Sequence, residues 1–135
     1  MVANTSPIFV LTANLAEVTF VNADSTTPKD LISAGTDGTK VLGIAVTSDD
    51  SSAVNLKLLV HDGTTAYLVG TVRVPTLSGT DGAVAAVDLL DAEALPWLDA
   101  DGEFFLPSGY KLQVAPLAAV TTAKTVTIVC FAGDY

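Results

Sequence analysis

Apolar and polar residues alternate in short bursts along this chain, and residues that favour turns divide the bursts. Val54, Leu56, Leu58 and Val60 alternate with Asn55, Lys57, Leu59 and His61. Leu68, Gly70, Val72 and Val74 alternate with Tyr67, Val69, Thr71 and Arg73. A period of two sends successive side chains to opposite faces, so both runs read as strands with a buried side. Asp62-Gly63 stands between them. That pair favours a two-residue type I′ turn, whose two central positions both need positive φ. The pattern therefore predicts a hairpin of strands 54–61 and 66–74. Bursts rich in β-branched and aromatic residues at 8–12, 18–22, 41–47, 84–90, 104–106, 110–115 and 125–131 predict the remaining strands.

The punctuation agrees with this reading. Pro75 and Pro107 follow runs rather than interrupt them, as a residue without an N–H must in a sheet. Residues 25–40, with Pro28, Gly35 and Gly38, read as a long surface loop. Residues 88–95 read either as two helical turns capped by Asp88 and stopped by Pro96, or as an extended connection. Short strands at near-regular spacing predict an all-β fold, a single-domain antiparallel β-sandwich of jelly-roll kind. The sandwich is expected over 8–135, preceded by an extended N-terminal arm over 1–7.

Composition narrows the function more than it narrows the fold. Half of the 135 residues are apolar and 16% are charged, which excludes disorder and implies either a large core or an apolar surface that binds something. Fifteen acidic residues against six basic ones give a net charge of −9. Arg73 is the sole arginine, so no basic stripe for nucleic acid can be assembled, and an anionic membrane surface is disfavoured too. The opening residues carry neither the basic nor the apolar segment of a secretory signal, so synthesis in a cytoplasm is expected.

The chain offers few residues to catalysis. Cys130 is the single cysteine; it falls inside a strand pattern and reads as a small core hydrophobe. His61, the single histidine, flanks a turn and reads as bonded to nearby backbone. One histidine and one cysteine are too few for an ordinary zinc site. Asp99-Ala100-Asp101-Gly102-Glu103 resembles the start of a calcium loop, but glycine comes fourth rather than sixth and Tyr110 stands where a glutamate is needed. An Asp-Gly turn explains it without an ion. Asp49-Asp50 reads as a solvated turn pair. No catalytic residues, cofactor or metal are expected.

Four short segments carry a resemblance. They are Ala3-Asn4-Thr5-Ser6-Pro7-Ile8-Phe9-Val10-Leu11-Thr12, Val60-His61-Asp62-Gly63-Thr64-Thr65, Leu106-Pro107-Ser108-Gly109-Tyr110-Lys111-Leu112 and Gly133-Asp134-Tyr135. In this order they resemble small structural proteins of tailed bacteriophages, most closely head decoration (cement) proteins. The resemblance implies a β-sandwich virion protein on the outer surface of the head. It also implies binding to the major capsid protein as a homotrimer, with no catalysis. On that reading the uncharged leader Val2, Ala3, Asn4, Thr5, Ser6 and Pro7 is an anchor able to add to a partner's sheet edge, and Trp97 is a further contact. Two rivals stand beside it. A tail-adhesin or carbohydrate-binding module would present Trp97, Phe104 or Tyr110 as a platform, and a small hydrolase would depend on His61, Asp99 and Asp101.

Overall fold

Nine strands make up the described part of the chain: β1 (Thr12–Val21), β2 (Lys29–Ser33), β3 (Thr39–Ser48), β4 (Val54–His61), β5 (Ala66–Val74), β6 (Val87–Asp88), β7 (Phe104–Leu106), β8 (Lys111–Pro116) and β9 (Thr125–Asp134). The computed structural model describes residues 10–135, so the expected arm and the first two residues of the 8–12 strand lie outside it. Every pairing is antiparallel. One sheet, here sheet A, runs β1-β9-β3, with β6 and β7 both on the far edge of β3. The other, sheet B, runs β2-β8-β4-β5.

This order has a simple origin. β1 pairs with β9, β2 with β8, β3 with β6 and β7, and β4 with β5. The chain is thus one long hairpin whose tip is the β4–β5 turn. Rolling that hairpin brings β9 against β3 and β8 against β4, which completes both sheets. The result is the jelly-roll sandwich expected from the strand pattern.

Alternation puts the apolar half of each strand between the sheets. From sheet A come Phe20, Val41, Ile44, Val46, Ile128 and Cys130; from sheet B come Leu31, Leu56, Leu58, Val72, Leu112 and Val114. All are buried, and each of the larger side chains contributes about 1.5–3 kcal/mol by leaving water. Cys130 lies between Ala16 and Ile44 in register, and burial pushes its thiol up to about 12. A thiol so rarely ionised packs as an apolar group.

Between β6 and β7 the chain leaves sheet A and crosses to the edge of sheet B. Asp88 holds the departure: its Oδ1 accepts the N–H of Ile44 at 3.1 Å and of Leu90 at 3.0 Å. Leu89, Leu90 and Leu95 then enter the core. Leu95 occupies the space that a Cβ at Gly70 would need, so a glycine in β5 is what lets the excursion close down. Trp97 Nε1 donates to the Val69 carbonyl at 2.9 Å and covers part of the β5 edge.

Several local expectations are corrected. The 18–22 run is part of a longer strand: β1 is continuous from Thr12 to Val21, because a ten-residue ladder with β9 carries Asn14, Ala16 and Glu17 along. The 25–40 loop contains β2, whose shift between Asp30 and Ile32 hides the alternation. The 84–90 strand shrinks to Val87–Asp88. Residues 88–95 take the extended alternative: among the described residues there is no α-helix, and one bond from Leu95 N–H to the Asp91 carbonyl, 2.7 Å, is the sole helix-like turn there. The hairpin turn is a four-residue loop, not type I′. Asp62 Oδ1 accepts the N–H of Thr64 and Thr65, and Asp62 N–H reaches the Thr65 carbonyl.

Candidate assembly surface

The two sheets present different chemistry to solvent. On sheet B the outward rows are polar. Asp30 receives Lys111 Nζ at 3.0 Å and Gln113 Nε2 at 2.7 Å, and these two partners hold its carboxyl below the ordinary range, Gln113 first. Beside them His61 faces Lys111, Lys57 faces Thr71 and Arg73 faces Asn55. Leu59 and Leu68 are the apolar interruption.

Sheet A carries an apolar row among polar ones, with Thr19, Thr127 and Thr47 forming a hydroxyl row on the same face. Its outward row Leu15–Phe131–Gly43 is apolar, and the next row sets Glu17 beside Val129, Ala45 and Asp88. Leu15 is 65% exposed and Phe131 45%. Leu42 is the extra residue at the shift between Val41 and Gly43, and is itself exposed. Gly43, Ala45, Ala86 and Asp88 line a shallow hollow with Phe131 at its rim. At the far end of the face the Phe105 ring packs tilted against Tyr135, centroids 5.6 Å apart, next to the Lys40–Glu103 ion pair. An apolar row beside a knob and a hollow is suited to docking against another flat protein surface. The signal was present in the sequence: in 125–131, Val129 and Phe131 alternate with Ile128 and Cys130, so both faces of β9 had to be apolar.

The residues singled out by sequence occupy separate places. Val2, Ala3, Asn4, Thr5, Ser6 and Pro7 lie outside the described residues. Trp97 is part-exposed, with its N–H committed to Val69 and its ring edge-on to Phe104 at 5.3 Å. Phe104 and Phe105 point to opposite sides of β7, so Trp97–Phe104 and Phe105–Tyr135 are two pairs and not one platform. Tyr110 sits apart, on the turn between β7 and β8. His61 Nδ1 accepts the Gly63 N–H at 3.0 Å. Asp99, Asp101 and Glu103 do converge, with oxygens within 4.8 Å of one another. The turn accounts for this, since Asp99 Oδ1 accepts the N–H of Asp101 and of Glu103, while Glu103 pairs with Lys40 at 3.2 Å.

Asp50 departs most from expectation. It is not solvated but 2% exposed. Its Oδ1 accepts Ser52 N–H at 2.9 Å and Thr121 Oγ1 at 2.7 Å, and its Oδ2 accepts Thr121 N–H at 3.0 Å. Its carbonyl takes Thr76 Oγ1 at 2.7 Å and Leu77 N–H at 3.2 Å. Burial pushes the carboxyl up, yet the bonds from Thr121 and Ser52, with the nearby Lys124 charge, outweigh it and leave the group below its ordinary value. Asp50 thus ties three connections together at one end of the sandwich.

No family model matches the chain, and no curated protein matches it in sequence. Solved structures do. One is the NLP core of Drosophila, described in terms of pentamer formation and histone binding. It is similar over 91% of this chain and 97% of its own, at 10% identity and a TM-score of 0.46. Two structures of a pentameric capsid protein from metagenomic phage sequences are similar over 90% of this chain, each at 21% identity and a TM-score of 0.38. The chain spans 60% and 62% of those two. The homotrimer implied by the resemblance is withdrawn, because the neighbouring assemblies are described as pentamers. A phage capsid protein thus stands among the structural neighbours of this all-β sandwich.

Proposed function

We propose that this chain is a structural protein of a phage head, a decoration protein that binds the outer surface of the shell and stabilises it by bridging capsid subunits. The supporting observation is the apolar row Leu15–Phe131–Gly43 with the hollow beside it on sheet A, set against the hydrogen-bonded Asp30–Lys111–Gln113 cluster on sheet B. Sheet A faces the shell, with Phe131 and Leu15 at the contact, and sheet B faces water. Residues 2–7 add an anchor to the partner, and Trp97 steadies the excursion against the β5 edge.

The mechanism is binding alone. A protein that holds the assembled shell more tightly than its separated parts stabilises the shell by the difference in affinity. The outer face of sheet A covers about 500 Å², from three strands of 10 residues each about 4.8 Å apart, with the short β6 and β7 along one edge. A stable pairwise complex takes about 800 Å² per partner, so a single copy binds weakly. Bridging two subunits, and occupancy by many copies, supplies the rest through effective concentration.

Immunogold electron microscopy of purified particles tests this. Uniform label over heads is expected, with occupancy lost on Phe131→Asp and on deletion of residues 2–7 while the circular-dichroism spectrum is kept. Label confined to the tail tip would replace the head reading with an adhesin, and bare particles would remove both.

A further inference from the structure

The free edge of β1 is protected at one end and open at the other. β1 pairs with β9 on one side and is the last strand of sheet A on its other side. The Thr19 carbonyl turns away from β9 and accepts Lys29 Nζ at 2.6 Å. The Val21 N–H turns the same way and donates to Asp24 Oδ2 at 2.9 Å, and Lys29 pairs with Asp24 at 3.0 Å. These contacts close the edge at 19–21. By the two-residue period, the N–H and C=O of Ala13, Leu15 and Glu17 also face outward. Among the described residues none of these groups has a partner.

The side chains there are equally uncovered. Leu11 is 82% exposed and Leu15 is 65% exposed, the two highest values among the large apolar residues described. Folded proteins protect a sheet edge with a lysine, a proline, a bulge or a covering segment. This chain does so with Lys29 at one end of β1, and with the Trp97 excursion on β5. An open stretch of edge beside exposed leucines is a site for strand addition.

We propose that the 13–17 edge of β1 pairs antiparallel with the same edge of a second copy, joining two A sheets across a two-fold axis. The sequence of the edge is self-complementary in this register. Centring the pair on Leu15 sets Leu15 against Leu15 and Ala13 against the partner's Glu17, so the two glutamates never face each other. It also stops the pairing before Thr19, where Lys29 already occupies the carbonyl. The apolar row Leu15–Phe131 then continues from one copy into the next. A two-fold contact of this kind is isologous, using one patch twice. The proposal uses an edge and not a face, and stands independently of shell binding.

The test is made on the isolated full-length chain, by native mass spectrometry and sedimentation across a concentration series. Dimers, or assemblies built from them, are expected. Glu17→Pro removes an outward N–H without touching the β1–β9 ladder, so it abolishes the dimer while the melting temperature shifts by a few degrees at most. Leu15→Cys forms a disulfide-linked dimer on mild oxidation, whereas Thr19→Cys does not; Cys130 is buried and stays silent. A monomer at every concentration overturns the proposal. So does a pentamer whose size Glu17→Pro leaves unchanged, failure of Leu15→Cys to cross-link, or dimerisation that appears only after residues 1–9 are deleted.

Discussion

Replacing Asp50 probes how a small sandwich holds its connections together. Asp50→Ala removes three acceptor bonds and leaves Thr121 N–H, Thr121 Oγ1 and Ser52 N–H without their carboxylate. Ser52 and Thr121 are both exposed, so their freed donors regain water and only the net worth of each bond is lost, least for Ser52. The two Thr121 bonds, made to a buried charged acceptor, contribute about 1.5 kcal/mol each. The expected destabilisation is therefore about 3 kcal/mol, a substantial share of the 5–15 kcal/mol a domain has in total. For a chain of this size it lowers the melting temperature by about 10 °C.

Asp50→Asn separates charge from shape. The folded-state carboxyl lies below its ordinary value, so the group contributes stability above the unfolded pKa, near 4, and loses it as pH falls through the lower folded value. The amide variant lacks that contribution at every pH. The gap in melting temperature between parent and Asp50→Asn is thus widest above pH 5 and narrows towards pH 2. Calorimetry or circular-dichroism melts at pH 7, 4 and 2.5 measure it. A gap that stays constant across this range, or an Asp50→Ala cost under 1 kcal/mol, would refute the reasoning.

Three further outcomes are expected. Gly70→Ala drives a methyl into Leu95 and costs about 2 kcal/mol by denaturant unfolding, whereas in a Leu95→Ala background its added cost falls below about 1 kcal/mol. Trp97→Phe keeps an aromatic ring against Phe104 but leaves the Val69 carbonyl without its donor. It costs about 1 kcal/mol, and hydrogen exchange should quicken along β5 before it does in β4. Cys130, buried and with its thiol pushed up to about 12, resists a disulfide reagent at pH 8 in the folded chain and reacts fully in denaturant.

How much of this was legible in the chain depended on whether a feature was local. The boundaries of β4 and β5 follow from alternation between apolar and polar positions, and Phe104–Leu106 stands out as an aromatic burst before Pro107. β2 was hidden because a bulge places Leu31 and Ile32 side by side, which breaks the period that marks a strand. The tip of the hairpin was located but its turn type was not, since Asp62 satisfies two N–H groups with its own side chain and lengthens the loop. Asp50 read as an ordinary turn aspartate; its partner Thr121 is 71 residues away, and nothing near either residue announces the other. The asymmetry of the outer faces was half visible. Phe131 and Val129 had to share a face, but that Leu15 lies opposite Phe131 depends on a pairing between the first and last strands.

That pairing also governs when the protein acquires its surfaces during synthesis. β9 lies in the middle of sheet A, with β1 on one side and β3 on the other, although it is the last of the nine to be made. Until Thr125–Asp134 is made, β1 has no neighbour in sheet A and β3 has only the short β6 and β7. Sheet B closes earlier, when β8 joins β4. The chain thus completes sheet B first and sheet A last. Phe131 arrives on the strand that completes sheet A. Until then β1 and β3 expose edges and apolar side chains that β9 later covers, so a growing chain is most able to bind another in that interval.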